Sequence, residues 1–156
     1  MQQLRKNYPD YDYVFTGHSL GGALCVHAAA DSILSQWIPE TSKLYIYDYG
    51  QPRVGNKQFL DQFVDKITEF YRVIHYQDEV PHVPPCLPAL EGGCAEEGPL
   101  PIYPFHAPEE IYYNEAFDEY TECSLTNGED MKCSNSQDYP SISDHLSYYN
   151  FAISDI

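Results

Sequence analysis

The sequence predicts an α/β protein in which helices cover the faces of a parallel sheet. Segments typical of strands and of helices alternate along the first half of the chain, in the order strand, helix, strand, helix, strand. Parallel strands need long crossover connections, which helices supply. The length of 156 residues, with 43% hydrophobic and 21% charged residues, fits one globular domain with a core of its own.

The first strand and the first long helix follow a short helical start. Residues 1–7 are expected to end a helix, because Pro9 disfavours helical geometry just before it. The aromatic and β-branched segment YDYVFT at 11–16 predicts a strand, and alanine and leucine favour a helix from Leu20 to Trp37. One face of that helix carries apolar side chains at helical spacing, namely Ala23, Val26, Ala30, Ile33 and Trp37.

Two more strands and one more helix complete the alternation. KLYIYD at 43–48 predicts the second strand, and EFYRVIHY at 69–76 predicts the third. Between them lies the turn-forming segment YGQPRVGN, whose last residue, Asn56, can cap a helix. We expect Phe59, Phe63 and Ile67 to form one buried stripe of that helix.

The regular alternation ends after residue 76. Eight of the 12 prolines lie at 81–108, which predicts a long ordered surface loop. Residues 111–114 are expected to form a further strand, and CSLTNGEDMKC at 123–133 a turn-rich segment. SDHLSYYNF at 143–151 predicts a short helix capped by Ser143 or Asp144.

The charge distribution argues against a nucleic-acid partner. The chain has 8 Lys and Arg against 24 Asp and Glu, a formal net charge of -16, and no basic stripe. Most of the excess acidic charge follows residue 75, which is typical of a solvated surface; calcium binding is the alternative, but no EF-hand loop is present. We predict no metal and no other cofactor. The apolar stretches are far shorter than the roughly 18 residues of a membrane span.

Five cysteines predict two local disulfides and one buried thiol. The members of each pair, Cys86 with Cys94 and Cys123 with Cys133, lie close together in the loop-rich half, whereas Cys25 stands alone in an apolar helical segment. Neither spacing contains the CxxC pairs typical of structural zinc. Disulfides persist in oxidising compartments, so we expect a secreted protein whose signal peptide would lie upstream of the given sequence.

Residues 17–21 form a G-x-S-x-G motif at the junction between the first strand and the long helix. A nucleophile elbow requires this junction, because its sharp turn exposes a strained serine and leaves room only for glycine beside it. Ser19 would then lie at the helix N-terminus, where the N–H of Leu20 favours an anion. The alternative is a small-residue helix start with Ser19 as its N-cap.

A serine nucleophile needs a base and an orienting carboxylate, in the chain order Ser, acid, His for this motif. The side chains that compete for these two roles are Asp48, Asp78, His82, His106 and His145. Asp78 is favoured as the orienting carboxylate by its place after the third strand, in a loop stiffened by prolines. Asp48 remains the alternative for this role, but it could instead bond the YGQPRVGN turn. His27 is expected on the helix surface or in the core, and His18 fills the variable position of the elbow.

Four segments in order, GHSLGGALC, YGQPRVGN, HYQDEVPHVPP and DHLSYY, resemble signatures of the class 3 (fungal-type) lipases of the α/β-hydrolase superfamily. The resemblance spans roughly residues 11–151. It implies Ser19 as nucleophile, Asp78 as triad acid, His145 as base and Leu20 as a backbone donor of the oxyanion hole. The segment bounded by Cys123 and Cys133 is similar to versions found in secreted nematode members.

The resemblance implies an α/β-hydrolase fold and a serine esterase of lipid esters, working without a cofactor at a lipid–water interface. In this family the nucleophile follows early strands, a lid helix and the loop with a second oxyanion donor, whereas 18 residues precede Ser19 here. We therefore expect residues 1–156 to be the C-terminal part of a lipase domain. The alternatives are an inactive remnant or lipid-binding domain, and the same elbow with peptidase or thioesterase chemistry. The sequence leaves the oligomeric state open.

Overall fold

A mixed sheet organises the chain, which the computed structural model describes at residues 2–39, 42–90, 93–95, 102–138 and 140–153. The strands are β1 (Tyr13–His18), β2 (Leu44–Tyr49), β3 (Glu69–His75), β4 (Glu110–Tyr113) and β5 (Tyr120–Glu122). They lie in this spatial order, parallel from β1 to β4, and β5 runs antiparallel to β4. The predicted parallel arrangement of the first strands is therefore present, and β5 is an addition that its short sequence did not signal.

Helices precede and follow β1, as the sequence predicts. The short α1 (Gln2–Asn7) precedes it, and a single residue, Ser19, separates its end from the start of α2 (Leu20–Leu34). Val26 and Ala30 of α2 are buried against the sheet, and Ile33 packs beside them. The prediction that the helix extends to Trp37 is wrong: the chain turns at Gln36, where φ is 55°, and 47% of Trp37 is exposed.

The next helix is shorter than its apolar stripe predicts. Asn56 caps α3 (Lys57–Leu60) by accepting a hydrogen bond from the Phe59 N–H at 2.8 Å. A 3-10 turn at Val64–Lys66 then replaces the expected continuation. Phe63 is still fully buried and Ile67 packs against the same core, because the turn returns their side chains to the sheet.

The C-terminal region contains α4 (Ile142–His145), followed by a hairpin of β6 (Ser147–Tyr148) and β7 (Phe151–Ala152). The hydroxyl of Ser141 caps α4 by accepting from the Asp144 N–H at 3.2 Å, so the predicted caps Ser143 and Asp144 are wrong by two and three residues. Parts of the expected surface loop, at 91–92 and 96–101, lie outside the described residues.

One face of the sheet carries the core, and tyrosines line the other. The core residues come mainly from α2, α3 and alternate sheet positions such as Leu44 and Ile46. On the opposite face Tyr47 stacks between Tyr45 and Tyr71, with ring centroids 6.4 and 5.9 Å away. Within the described ranges, no helix has the length and apolar character that a membrane span requires.

The turn-rich segment at 123–133 is anchored in the interior. A disulfide joins Cys123 to Cys133, and a second disulfide joins Cys86 to Cys94. Glu129 receives hydrogen bonds from Nε and Nη2 of the buried Arg53 at 2.7 and 2.8 Å. Burial alone would raise the pKa of Glu129, but the Arg53 guanidinium and other donors lower it to about 2. The segment is thereby tied to the loop after β2.

Candidate active site

Ser19 lies in a strained turn between β1 and α2. Its φ of 57° is in the left-handed region, and its N–H donates to the Tyr49 carbonyl of β2 at 2.9 Å. A Cβ at position 17 would clash with the backbone of Gly21, and one at position 22 would lie 3.3 Å from the Cβ of Asp48. The turn therefore needs the small residues that the motif provides. No side-chain capping bond is made by Ser19, which leaves its hydroxyl to other partners.

The Ser19 hydroxyl lies at the start of a line of side chains from three separate parts of the chain. Its Oγ is 2.8 Å from Nε2 of His145, and Nδ1 of His145 is 2.9 and 3.0 Å from the carboxylate oxygens of Asp78. Asp78 and His145 are buried. Because the carboxylate accepts from Nδ1, Nε2 is left to accept the serine proton. The structure thus brings together the three residues predicted for the triad.

Two further groups fix the Asp78 carboxylate. The Val80 N–H donates to Oδ1 at 2.9 Å, and the Tyr148 hydroxyl donates to Oδ2 at 2.5 Å. Burial and the adjacent carboxylate raise the pKa of Tyr148 well above its ordinary value, so the hydroxyl keeps its proton and remains a donor. Together with His145, these donors place both carboxylate oxygens.

His18 contacts the same centre, which its variable place in the motif did not indicate. Its Nε2 donates to the His145 carbonyl oxygen at 2.8 Å, and the two rings stack with centroids 4.5 Å apart. Burial lowers the pKa of His18, which favours the neutral ring beside His145. The signal available in the sequence was its position next to Ser19.

Asp48 has surroundings unlike those of Asp78. It is fully buried, and the described residues provide no hydrogen-bond partner for either carboxylate oxygen. The suggested bond between Asp48 and the YGQPRVGN turn is therefore absent there. Desolvation raises the pKa of Asp48 to about 8, although Arg72 opposes this effect. A carboxyl group that is neutral at pH 7 is a poor partner for an imidazolium.

The other candidate histidines lie outside the triad. The ring of His106 is buried and donates to the Pro81 carbonyl at 2.7 Å, and burial lowers its pKa well below the usual value. Burial also lowers the pKa of His82, on the 3-10 turn after β3. His27 lies on the exposed side of α2 against Phe59, with ring centroids 5.8 Å apart.

The described residues bring three possible metal ligands together at Glu110, Cys123 and Cys133. The two cysteines are joined in a disulfide, so they present no thiolate to an ion. Cys25 carries a free thiol and is half-buried, where the sequence predicted a buried one. Its Sγ donates to the Thr16 carbonyl at 3.0 Å.

Comparisons with known proteins identify the family of this chain. Residues 1–87 match the family model described as Lipase (class 3). A lipase of Rhizomucor miehei is 35% identical over 145 residues, covering 92% of this chain and 36% of the relative. A lipase of Caenorhabditis elegans is 31% identical, covering 95% of this chain and 47% of the relative. The chain therefore spans about a third to a half of the length of these curated relatives.

Solved structures give the same result for the fold. A lipase from Rhizopus microsporus var. chinensis superimposes with a TM-score of 0.73 at 34% identity, covering 97% of this chain and 48% of that one. A triacylglycerol lipase whose catalytic centre is a serine protease triad superimposes with a TM-score of 0.75 at 32% identity, covering 96% of this chain and 52% of that one. These similarities confirm the predicted α/β-hydrolase fold. The chain belongs to the class 3 lipase family.

Proposed function

We propose that this chain carries the site of a serine esterase that hydrolyses lipid esters by acyl transfer. Ser19 is the nucleophile, His145 the general base and Asp78 the residue that orients the base. The observation that carries this proposal is the continuous line from the Ser19 Oγ through His145 to the Asp78 carboxylate, with contacts of 2.8 and 2.9 Å. Serine needs such a base because its hydroxyl is a weak nucleophile by itself.

The reaction proceeds in two halves. His145 Nε2 takes the Ser19 proton while Oγ attacks the ester carbonyl, and the resulting oxyanion accepts a hydrogen bond from the Leu20 N–H. Collapse of the tetrahedral intermediate breaks the ester bond, and His145 gives the proton to the departing alcohol. Water then loses a proton to His145 and attacks the acyl-serine. The second tetrahedral intermediate collapses to release the fatty acid, and His145 returns the proton to the Ser19 Oγ.

Exposed apolar side chains support an acyl substrate at a lipid–water interface. Leu20 follows the nucleophile and Leu146 follows the base, and these leucines are 67% and 46% exposed. Apolar groups that remain in water beside a reaction centre favour contact with hydrocarbon. The relatives include triacylglycerol lipases and, at 42% identity over 77 residues, a secreted mono- and diacylglycerol lipase of Fusarium solani.

We also propose an extracellular location. Both disulfides lie in the acidic half of the chain, where they need an oxidising compartment to persist. The net charge of -16 keeps the surface solvated and repels nucleic acid.

The test uses the purified 156-residue chain, a fluorophosphonate probe and a short-chain nitrophenyl ester. We expect the probe to label Ser19, and the Ser19→Ala variant to lose both the label and ester hydrolysis above background. Ser35→Ala is the matched control, because its hydroxyl donates to the nearby Asp31 carboxylate at 3.0 Å at the other end of α2 from Ser19. A chain that is folded by circular dichroism yet is never labelled at Ser19 would overturn the proposal and favour a lipid-binding role. Faster hydrolysis of thioesters or amides than of esters would contradict the reaction class.

A further inference from the structure

His18, the last residue of β1, contacts both the main chain and the ring of His145. Its Nε2 donates to the His145 carbonyl oxygen at 2.8 Å, and the two rings stack with centroids 4.5 Å apart and planes 30° apart. This carbonyl ends α4, and the last carbonyls of a helix have no partner within the helix. His18 therefore supplies a donor from another element and fixes the end of α4 to the end of β1.

Two neighbouring residues of the chain thus hold one residue of α4. The Ser19 Oγ is 2.8 Å from Nε2 of His145, and the His18 bond reaches the carbonyl of the same residue. A single contact at the tip of the imidazole fixes a distance but leaves the ring free to tilt about that point. The second contact, at the main chain, restricts the tilt, and so does the stacking of the two rings. The direction in which Nε2 faces Oγ therefore depends on His18.

The bonds at the other end of α4 do not involve β1. Gln77, which precedes Asp78, accepts from the Ser141 N–H through its carbonyl at 2.7 Å and donates through its own N–H to the Asp144 carboxylate at 3.2 Å. These two bonds place α4 relative to the loop after β3, where Asp78 lies. They leave open where α4 sits relative to the end of β1, which is the position that His18 determines.

We propose that His18 is a positioning residue that holds the main chain of His145 so that Nε2 points at the Ser19 hydroxyl. The inference rests on the proposed function, because it takes His145 as the general base. His18 acts through His145 and exchanges no proton with Ser19. A misplacement of about 1 Å can cost roughly 100-fold in rate, so loss of the carbonyl bond should slow the attack by Oγ.

Three substitutions separate the hydrogen bond from the ring contact. His18→Gln keeps an N–H donor at a similar distance from the backbone but has no ring. His18→Phe keeps a ring and has no donor, and His18→Ala removes both. His27→Ala is the matched control, because it removes a second histidine that contacts an aromatic ring, that of Phe59 at 5.8 Å, on the exposed side of α2.

The measurement separates binding of the probe from its reaction with Ser19. The labelling rate is recorded over a series of fluorophosphonate concentrations, which gives the affinity for the probe and the rate at saturation as two numbers. Urea unfolding of each variant shows whether it is folded under the conditions of labelling. A purely structural role of His18 would lower the stability and leave the saturated rate of the folded variant unchanged.

We expect His18→Ala and His18→Phe to lower the saturated rate at least about 10-fold, with the probe affinity within about threefold of that of the unmodified chain. His18→Gln should label faster than both because it keeps the donor, and His27→Ala should label like the unmodified chain. A smaller loss in His18→Ala would overturn the inference, and so would a His18→Gln variant that labels no faster than His18→Phe.

The unmodified chain decides the question if none of the three His18 variants folds. Nitrogen-15 NMR then shows which ring nitrogen of His18 carries the proton. A proton on Nε2 is expected, whereas a ring protonated on Nδ1 alone could not donate to the His145 carbonyl and would overturn the inference. An unmodified chain that is folded but never labelled at Ser19 would instead contradict the proposed function.

Discussion

Two aspartates at strand ends differ in what surrounds their carboxyl groups. Asp78 accepts hydrogen bonds from His145, Val80 and Tyr148, whereas Asp48 is equally buried and has no such partner among the described residues. Asp48 lies near the end of β2 and Asp78 follows β3, so their place in the sequence favoured Asp78 without excluding Asp48. The hydrogen-bond donors around each carboxyl group distinguish Asp78, which accepts from His145, from Asp48.

Asparagine at these two positions should give opposite results. Asp78→Asn is expected to slow labelling of Ser19 by roughly 10⁴-fold, because an amide that donates to His145 selects the wrong imidazole tautomer. Asp48→Asn should leave the labelling rate within about threefold, since Asp48 makes no contact with the triad. Both variants are compared with the unmodified chain by probe labelling, with circular dichroism to establish folding. Equal loss of labelling in two folded variants would contradict the assignment of Asp78.

The stability of Asp48→Asn should also depend on pH in a defined direction. The pKa of Asp48 rises from 3.8 to about 8 on folding, so the folded chain takes up a proton there between these values. Ionisation of Asp48 in the unfolded chain does not lower the free energy of unfolding below pH 3.8. Above that pH the free energy of unfolding falls by about 1.4 kcal/mol per pH unit, and the fall is complete above pH 8. Asparagine does not titrate. The advantage of Asp48→Asn, its melting temperature minus that of the unmodified chain, should therefore be larger at pH 8 than at pH 4. An advantage that is equal at both pH values would show that Asp48 is not buried in its neutral form.

Sequence reasoning selected Ser19, Asp78 and His145, which the structure brings into contact, because each has characteristic neighbours. The elbow, the aspartate after β3 and the terminal histidine each lie in a recognisable segment in the required order. The contact between His18 and His145 was missed because His18 bonds a main-chain carbonyl, at 2.8 Å, which any residue can provide. Such contacts depend on the packing of the elements and leave no pattern in the sequence.

At the scale of elements, the first three strands were predicted well, whereas the helix ends, β5 and the hairpin of β6 and β7 were not. Runs of aromatic and β-branched residues placed β1, β2 and β3 to within about two residues, as is usual for such boundaries. Apolar spacing continued past Leu34 and Leu60, where α2 and α3 end. Side chains such as Phe63 reach the core from a turn as well as from a helix, so periodicity alone could not mark the ends.

The ion pair of Arg53 and Glu129 should contribute strongly to the attachment of the 123–133 segment. Glu129→Gln leaves a buried guanidinium without its charge partner, and we expect a loss of about 3 kcal/mol in the free energy of unfolding. Asp61→Asn is the matched control, because it breaks an exposed pair with Lys57 at 2.7 Å and should cost less than about 0.5 kcal/mol. Urea unfolding measures both variants. Equal losses in the free energy of unfolding for the two variants would mean that the Arg53–Glu129 pair does not hold the 123–133 segment.

At the scale of the whole molecule, β1 is the strand that leads into Ser19. Among the described residues it pairs with β2 along one edge, and no second strand lies along the other. Most of the sheet face with Tyr45, Tyr47 and Tyr71 is partly exposed, although parallel sheets are usually covered on both faces. The sheet that leads into Ser19 is therefore packed mainly on one face, against α2, α3 and the loops.

We expect these 156 residues by themselves to hydrolyse short-chain nitrophenyl esters at least about 100-fold more slowly than the Rhizomucor miehei lipase, of which the chain spans 36%. The family resemblance implies a second oxyanion donor in a loop before the elbow strand, and the proposed reaction uses the Leu20 N–H alone. Removing one such donor from an esterase costs 100- to 1000-fold in rate, roughly. Purified proteins are compared at equal concentration, with Ser19→Ala as background. Rates within tenfold of each other would contradict this expectation.

The contact between Ser19 and His145 joins residues 126 positions apart in sequence. Contacts of such long separation form only after the intervening chain has closed a large loop, which is slow and needs most of the native topology. Labelling of Ser19 thus reports on the completed fold, whereas circular dichroism reports on helices that can form early. During refolding, the delay between the two signals measures how long the chain takes to bring its last segment back to its first strand.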